Sequence, residues 1–366
     1  MRVLLVGVAA AILVLGVSLT VVISTIRANS VQAVAAPAPK PTVTPTPTQT
    51  PLSPVEQLLA DADDPLACAV VFAGEGIADA PMLQHQGALY AALPIPAQEG
   101  MAFGGWYATP QSAVAFDPAS RINGADEVAC EDQTIELFGS WMPADQNAAA
   151  GTEVPILMYH QFTTRPEGED GWLRGNYAYI GDFETQMNHI ATTGFYLPTW
   201  DELSAFIDGR LYLPPRSVII TDDDADQTWF DLAAPIVANH KLLATSFMVT
   251  AYRQDPPPSI YVQRRSHTHD MHQAGENGEG RMVNWAADEI AADLNISGDV
   301  LGVREVVAYP FGHYNDTTKH GVAQAGYEMG RTIEPGTVVI GTDKLALPVV
   351  RIDYGMGLDA LISWIG

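Results

Sequence analysis

Cationic side chains are scarce in this chain: 18 Lys and Arg, only four of them lysine, stand against 43 Asp and Glu, giving a formal net charge of −25. That balance excludes a nucleic-acid binder, because neutralising phosphates takes clustered Lys and Arg. No glycine-rich loop accompanies the acidic clusters, which argues against a phosphate cradle and a phosphohydrolase. Cysteine is nearly absent too. Cys68 and Cys130 are the only pair; in an oxidising compartment a disulfide between them closes a loop worth about 4 kcal/mol on the chain-entropy estimate. Two buried thiols that never meet are the alternative. Apolar residues are not lacking, since 366 residues with 47% hydrophobic content and seven Trp are enough for two or three cored domains.

Residues 3–25, "VLLVGVAAAILVLGVSLTVVIST", carry no charge, and a helix of that length at about 1.5 Å per residue spans the hydrocarbon core. A membrane anchor is the favoured reading. A secretory signal competes with it, with Arg2 as a minimal n-region and "AVAA" at 33–36 as an A-x-A-like site. Either reading sends the remainder out of the cytoplasm, to the outer face of the membrane or to the cell wall. Residues 36–54 hold seven prolines and five threonines, the composition of an extended spacer reaching on the order of 60 Å at about 3.1 Å per residue.

Between Ala67 and Trp141 short strand-like runs, "ACAVVFAG", "ALYAALPIP", "MAFGGWYAT" and "TIELFGSW", alternate with Gly, Pro, Asn and Asp turn signals. They predict a small β-rich module. Phe103, Gly104, Gly105, Trp106, Tyr107, Phe116, Asp117, Leu137 and Trp141 resemble the internalin-type B repeat (Listeria–Bacteroides repeat). The resemblance implies a β-grasp-like spacer or adhesion module with a possible cell-wall contact. Trp106 and Tyr107 read as core in preference to a sugar-stacking surface.

From Val154 onward the pattern changes. Apolar runs "VPILMY", "SVIIT", "ATSFMV", "VREVVAY" and "LPVVRI" alternate with helix-like segments. Asp182 and Asn315 are the expected N-caps of two of these, with Gly194 and Gly326 as stops. Such alternation predicts a parallel sheet with covering helices, whose chemistry gathers where strands end. Polar clusters do follow the runs: His160 after "PILMY", Asp222 to Asp224 after "SVIIT", and Pro310-Phe311-Gly312 after "VREVVAY". Neighbouring carboxylates repel and are costly to bury unless something cationic compensates. A metal ion fits that need, and "RRSHTHDMH" at 264–272 supplies imidazoles; two His and one carboxylate leave a coordination position open.

"TDDD" at 221–224, "HTHDMH" at 267–272 and "AYPFG" at 308–312, with "PILMYHQF" upstream, resemble the NodB-like polysaccharide deacetylases, carbohydrate esterase family 4. The nearest branch is the exopolysaccharide (poly-N-acetylglucosamine) deacetylases. The likeness covers residues 154–366 and implies a distorted (β/α) barrel of fewer than eight repeats. It implies Asp224, His267 and His272 as ligands of a divalent ion, most simply zinc, with cobalt or nickel as alternatives. By the same resemblance Asp223 is the general base, the backbone N–H of Phe311 an oxyanion donor, and His160 a general acid in place of the family's late histidine, which is missing here. A structural role for His160 competes. Two other departures stand out: Asp222 occupies the place of a phenylalanine and Ala225 that of a glycine. Asp222 either raises the pKa of Asp223 or points away from the site. His269 and Asp270 read as turn residues, and Asp226 as a helix cap.

The expected organisation is a membrane anchor or signal segment at 1–35, a Pro/Thr-rich linker at 36–66, the B-repeat-like β domain at 67–142, a linker at 143–153, and the NodB-like domain at 154–366. The expected activity is metal-dependent removal of N-acetyl groups from an amino-sugar polymer of the envelope. The alternatives are a degenerate glycan-binding surface protein and an O-acetyl esterase. The expected partners are N-acetylated polysaccharide and, through the N-terminal segment only, the membrane.

Overall fold

In the computed structural model, which describes residues 51–366, the first apolar runs build a mixed sheet. Its strands are β1 (Ala67–Ala73), β2 (Met82–His85), β3 (Met101–Tyr107), β4 (Arg121–Ile122) and β5 (Thr134–Pro143), in the order β2-β1-β5-β3-β4. β1 and β5 run parallel, while β2, β3 and β4 pair antiparallel to their neighbours. Cys68 and Cys130 form a disulfide across 62 positions, with Cα atoms 6.1 Å apart. The run "ALYAALPIP" does not become a strand. Leu89 makes one isolated bridge to Glu127, and Pro94 and Pro96 lack the N–H a ladder needs. Trp106 and Tyr107 are buried in the core. The β3–β5 register slips between Phe103 and Trp106; there Gly105 takes φ +103, where a Cβ would lie 2.6 Å from the Arg121 guanidinium. Helix α1 (Pro54–Ala62), held by a Ser53–Glu56 capping box, and α3 (Ala144–Ala149) occupy stretches read as linkers; the short α2 (Pro110–Ala115) follows β3. The anchor or signal segment and most of the Pro/Thr run lie outside the described residues. Among the described residues no helix is long and apolar enough to cross a membrane.

Seven strands then close a parallel barrel: β6 (Ile156–Tyr159), β9 (Ile219–Asp222), β10 (Ala244–Met248), β11 (Val262–Ser266), β12 (Val306–Ala308), β13 (Met329–Pro335) and β14 (Leu347–Arg351). β9 pairs with both β6 and β10, which shuts the ring. A two-stranded sheet, β7 (Gln161–Thr163) with β8 (Tyr177–Tyr179), sits between β6 and the helices. The helices are α4 (Ile180–Thr192), α5 (Trp200–Ile207), α6 (Ala234–Asn239), α7 (Ala287–Leu301), α8 (Asp316–Gln324) and α9 (Leu358–Ile365). Asn315 caps α8, accepting from the Thr318 N–H at 2.9 Å. Asp182 does not cap α4: the helix begins two residues earlier, after Tyr179, and Asp182 lies in its first turn, where a carboxylate still favours the helix dipole.

The two-residue period of the strands sorts the barrel's side chains. Ile156, Met158, Ile219, Phe247, Ala308 and Leu347 belong to an interior cluster, whereas Leu157, Tyr159, Ile220, Ala244 and Val262 pack in a second cluster with residues of α4, α6 and α9. The interior cluster runs on into the small sheet through Phe103, Trp106, Trp200, Phe206 and Leu211. The sheet therefore plugs the end of the barrel where strands begin and is not a detached spacer. Phe103 N–H donates to Arg210 O at 2.7 Å, and Tyr212 N–H to Phe103 O at 2.8 Å, just before β9. Arg121 is buried at this seam, donating to Tyr212 O at 2.7 Å, lying 3.3 Å from Glu202 and stacking on Tyr196 at 4.5 Å.

Asp126 borders the same seam, accepting from Asn123 N–H at 2.9 Å. Burial pushes its carboxyl up to about 6. Protonation of this group in the fold precedes that in the unfolded chain, so its stabilising contribution is complete below the unfolded value and is lost as pH rises through 6. Asp126→Asn is expected to stabilise the protein at pH 8 by up to about 3 kcal/mol, a shift of roughly two units at about 1.4 kcal/mol each. Thermal melts across pH 4 to 8 check this, since the gain must vanish toward pH 4; a gain independent of pH would refute it.

Candidate active site

The polar clusters found at strand ends converge at the opposite mouth of the barrel. His160 follows β6, Asp223 and Asp224 follow β9, the histidine loop follows β11 and Phe311 follows β12. One cleft of about 530 Å³ is lined by all of them except the loop's middle residues. This is the strand-end face where barrel sites assemble.

The turn after β9 reverses sharply. Asp224 has φ 71 and Ala225 φ 49, both left-handed, and Ala225 is buried. An L-residue pays on the order of 1 kcal/mol for that conformation. It is the reason the resembling motif ends in glycine, and it shows that alanine holds the same turn. The loop after β11 is shaped from outside: the Asp293 carboxylate on α7 accepts the backbone N–H groups of His269 at 2.7 Å and Asp270 at 2.9 Å. The His269 ring meets Thr250 Oγ1 at 3.0 Å and Asp270 pairs with Arg281 at 3.0 Å, so both serve the loop. With the loop so held, His267 and His272 turn to one point.

Asp224 Oδ1 lies 3.3 Å from His267 Nε2 and 3.2 Å from His272 Nε2. One atom from each of these residues falls within a 4.8 Å group. Despite the short distances, Asp224 Oδ1 is buried without a hydrogen-bond partner. His267 Nδ1 faces the Ala308 carbonyl at 2.9 Å; since a carbonyl only accepts, that nitrogen carries the proton and Nε2 presents its lone pair. Asp224 Oδ1, His267 Nε2 and His272 Nε2 converge as the donor set of a two-His, one-carboxylate site, and the residues fit a divalent ion.

Asp223 is buried beside this set. Its N–H donates to Tyr159 O at 2.9 Å, and its carboxylate takes a hydrogen bond from Arg331 of β13, itself fully buried. His160 Nε2 lies 3.7 Å from the other carboxylate oxygen. Burial alone would raise the Asp223 pKa, yet Arg331, His160 and His267 together hold it below the usual carboxylate range. Asp224 is likewise lowered against the effect of burial, by His267 and His272. Burial lowers His160, with Asp223 opposing, and burial together with His267 lowers His272 to about 4. His267 is raised, because Asp224 and Asp223 outweigh its burial.

Asp222 points away from the site. By strand alternation it shares the outward face of Ile220, and it is absent from the cleft lining. Its carboxyl oxygens are buried and unpartnered. Burial, then Asp223, Asp224 and Asp226, push its pKa well above the usual value. Its burial thus disfavours a charge on it beside Asp223. Asp226 caps the following helical turn, accepting from the Thr228 N–H at 2.8 Å and hydroxyl at 2.6 Å.

Two residues of this arrangement escaped sequence reasoning. Arg331 lies in β13, "MGRTIEP", and Asp293 on the polar-spaced α7. An arginine inside a short apolar-flanked run was the available signal for the first; nothing local marks the second.

Residues 211–330 match the polysaccharide deacetylase family; His160 lies outside that span. The chain is similar to a poly-beta-1,6-N-acetyl-D-glucosamine N-deacetylase of Staphylococcus aureus strain MRSA252, with 28% identity over 160 residues, 38% of this chain and 55% of that protein. It thus spans about half the length of the staphylococcal relatives it matches. It is also similar to a putative polysaccharide deacetylase, YxkH, of Bacillus subtilis, with 25% identity over 64% of this chain and 81% of that one. In fold it is similar to a Streptococcus pyogenes deacetylase, PplD, solved with acetate: TM-score 0.50, 22% identity, 59% of this chain and 99% of that chain. The chain therefore carries a NodB-like polysaccharide deacetylase domain, homologous to poly-N-acetylglucosamine deacetylases.

Elemental analysis of the purified protein is expected to find about one zinc, cobalt or nickel ion per chain after loading. A His267→Ala, His272→Ala double variant is expected to bind none; retention of the ion by that variant would place it elsewhere.

Proposed function

We propose that the protein is a metal-dependent hydrolase that removes N-acetyl groups from an amino-sugar polymer of the cell envelope, of peptidoglycan or poly-N-acetylglucosamine type. The observation that carries this reading is the convergence of Asp224, His267 and His272 beside the Asp223–Arg331 pair in one cleft. A divalent ion in that donor set, zinc most simply, would supply Lewis acidity toward the acetyl oxygen and lower the pKa of the attacking water.

The chain's own residues supply the rest. Asp223, kept ionised by Arg331, accepts the proton of the attacking water. Its lowered pKa makes it a weaker base but guarantees the unprotonated form. The backbone N–H of Phe311, at the start of a one-turn helix that leaves such donors unpaired, stabilises the negative charge that develops on the acetyl oxygen. His160 lies 3.7 Å from Asp223 and delivers a proton to the amine as the C–N bond breaks, so that acetate and a free amino group are the products. In a degenerate domain these departures would have to damage the site; the outward-facing Asp222 and the intact turn at Ala225 support turnover instead.

The finer assignments belong to the same proposal. The order β2-β1-β5-β3-β4, with β1 parallel to β5, supports a β-grasp-like, B-repeat-related small domain. Its burial against the barrel favours a structural cap over wall adhesion. An extracellular or wall location, with the segment at 3–25 as anchor or signal, agrees with the disulfide and with a polymeric substrate outside the membrane.

Asp223→Asn is expected to lower acetate release by at least about a hundredfold while the ion content stays unchanged. Arg331→Met, which strands a buried carboxylate, is expected to lower kcat as well and to cost about 3–5 kcal/mol of stability. Both are read by acetate release from N-acetylglucosamine polymer and by chemical denaturation. Full turnover in Asp223→Asn would sink the catalytic reading.

A further inference from the structure

Trp172 is 91% exposed, the most exposed large apolar side chain among the described residues. Leaving an indole in water forfeits a large apolar burial. An exposed residue of this kind is informative only if its setting is built, and here it is. Trp172 and its neighbour Leu173 line the same cleft as Asp223, Asp224 and His272.

The loop that carries Trp172 is anchored on the barrel. Tyr354 OH donates to Pro166 O at 2.7 Å, and Arg174 Nη2 to Glu167 O at 2.9 Å. The Arg174 guanidinium lies over the Tyr354 ring at 4.5 Å. Gly168, at φ +82, admits that ring where a Cβ would sit 2.5 Å from it. Arg351 Nη2 donates to Asn176 Oδ1 at 2.7 Å at the loop's far end. The loop is pinned at several points, yet the indole N–H makes no hydrogen bond among the described residues and the ring faces solvent at the rim.

The cleft, about 530 Å³, is within the range of about 300–1,000 Å³ typical of sites that enclose a whole small molecule. It is far larger than an acetamido group needs. The axial C–H faces of a pyranose are apolar and its rim is polar, which matches an indole exposed beside polar side chains. Glu167, Glu169 and Asp170 precede the tryptophan and all pair with Arg165, at 3.4, 3.1 and 3.9 Å; with Arg174 the loop keeps a net charge of only −1. Such a loop offers an anionic lipid surface no cationic face.

We propose that Trp172 is a sugar-stacking platform that holds one residue of the amino-sugar polymer while its neighbour presents an acetyl group to Asp223. The proposal rests on the deacetylase reading for the identity of the polymer. It makes Trp172 a substrate-positioning residue, with Leu173 extending the apolar rim.

The test compares the full chain with Trp172→Ala and Trp172→Tyr. Binding of a β-1,6-linked N-acetylglucosamine pentamer is measured by calorimetry, and acetate release is measured from monomer to pentamer. Trp172→Ala is expected to weaken pentamer binding and raise KM for the pentamer by about tenfold or more. Its kcat is expected to stay within about twofold, with no change on the monomer, and Trp172→Tyr to recover most of the loss. Equal pentamer binding and equal length dependence in wild type and Trp172→Ala overturn the proposal. So does a loss confined to binding of phosphatidylglycerol vesicles, which assigns the residue to a membrane surface. Binding that depends on Trp172 in a protein releasing no acetate keeps the platform and overturns the deacetylase reading.

Discussion

The charge at the end of β9 is the constraint around which the rest of the site is arranged. Two adjacent carboxylates, Asp223 and Asp224, are removed from most of their water, and each needs a compensating partner of its own. Asp223 has Arg331, delivered from β13 across the barrel mouth. Asp224 has two imidazoles and no hydrogen bond to its Oδ1. The third carboxylate, Asp222, has no partner for either oxygen, and its burial pushes its pKa well above the usual value. The three aspartates of one short segment thus occupy three electrostatic environments, set by the direction in which each side chain leaves the backbone.

Holding that arrangement still is the task of the scaffold. A seven-stranded closed barrel leaves little slack between neighbouring strand ends, and the loops there are clamped by side chains that never enter the cleft. Asp293 fixes the backbone between the two histidines, and Ala308 O fixes the tautomer of His267. Left-handed residues at Asp224, Ala225, Thr268 and Phe311 cluster about the mouth. Strain of this kind persists only where surrounding packing over-determines the backbone. At the other end the small sheet completes the interior core, so the module carrying the disulfide stabilises the same unit that bears the site.

The small module illustrates how tertiary context changes the meaning of a local reading. Its strands β1, β3 and β5 were legible from β-branched and aromatic runs, and its aromatics were rightly taken as core. That its core is continuous with the barrel was not legible, because the residues that join them, Phe103 and Leu211, are more than a hundred positions apart. The same holds inside the barrel. Five strands announced themselves as apolar runs, while β11 and β13 were hidden by Arg264, Arg265, Arg331 and Glu334, charges that a one-dimensional pattern reads as loop.

By itself the sequence determined the alternation of strands and helices, the position of polar clusters at strand ends, and the identity of Asp224, His267 and His272 as a possible donor set. The first two follow from local periodicity, and the donor set from what the resemblance to the NodB-like deacetylases implies for motifs within single loops; none of them needs knowledge of what lies across the fold. Only the tertiary structure decided that Arg331 compensates Asp223, that Asp222 turns outward, that Asp293 shapes the histidine loop, and that Trp172 shares the cleft. Each depends on which strand end or loop stands opposite another in a closed barrel, and no local pattern encodes that adjacency.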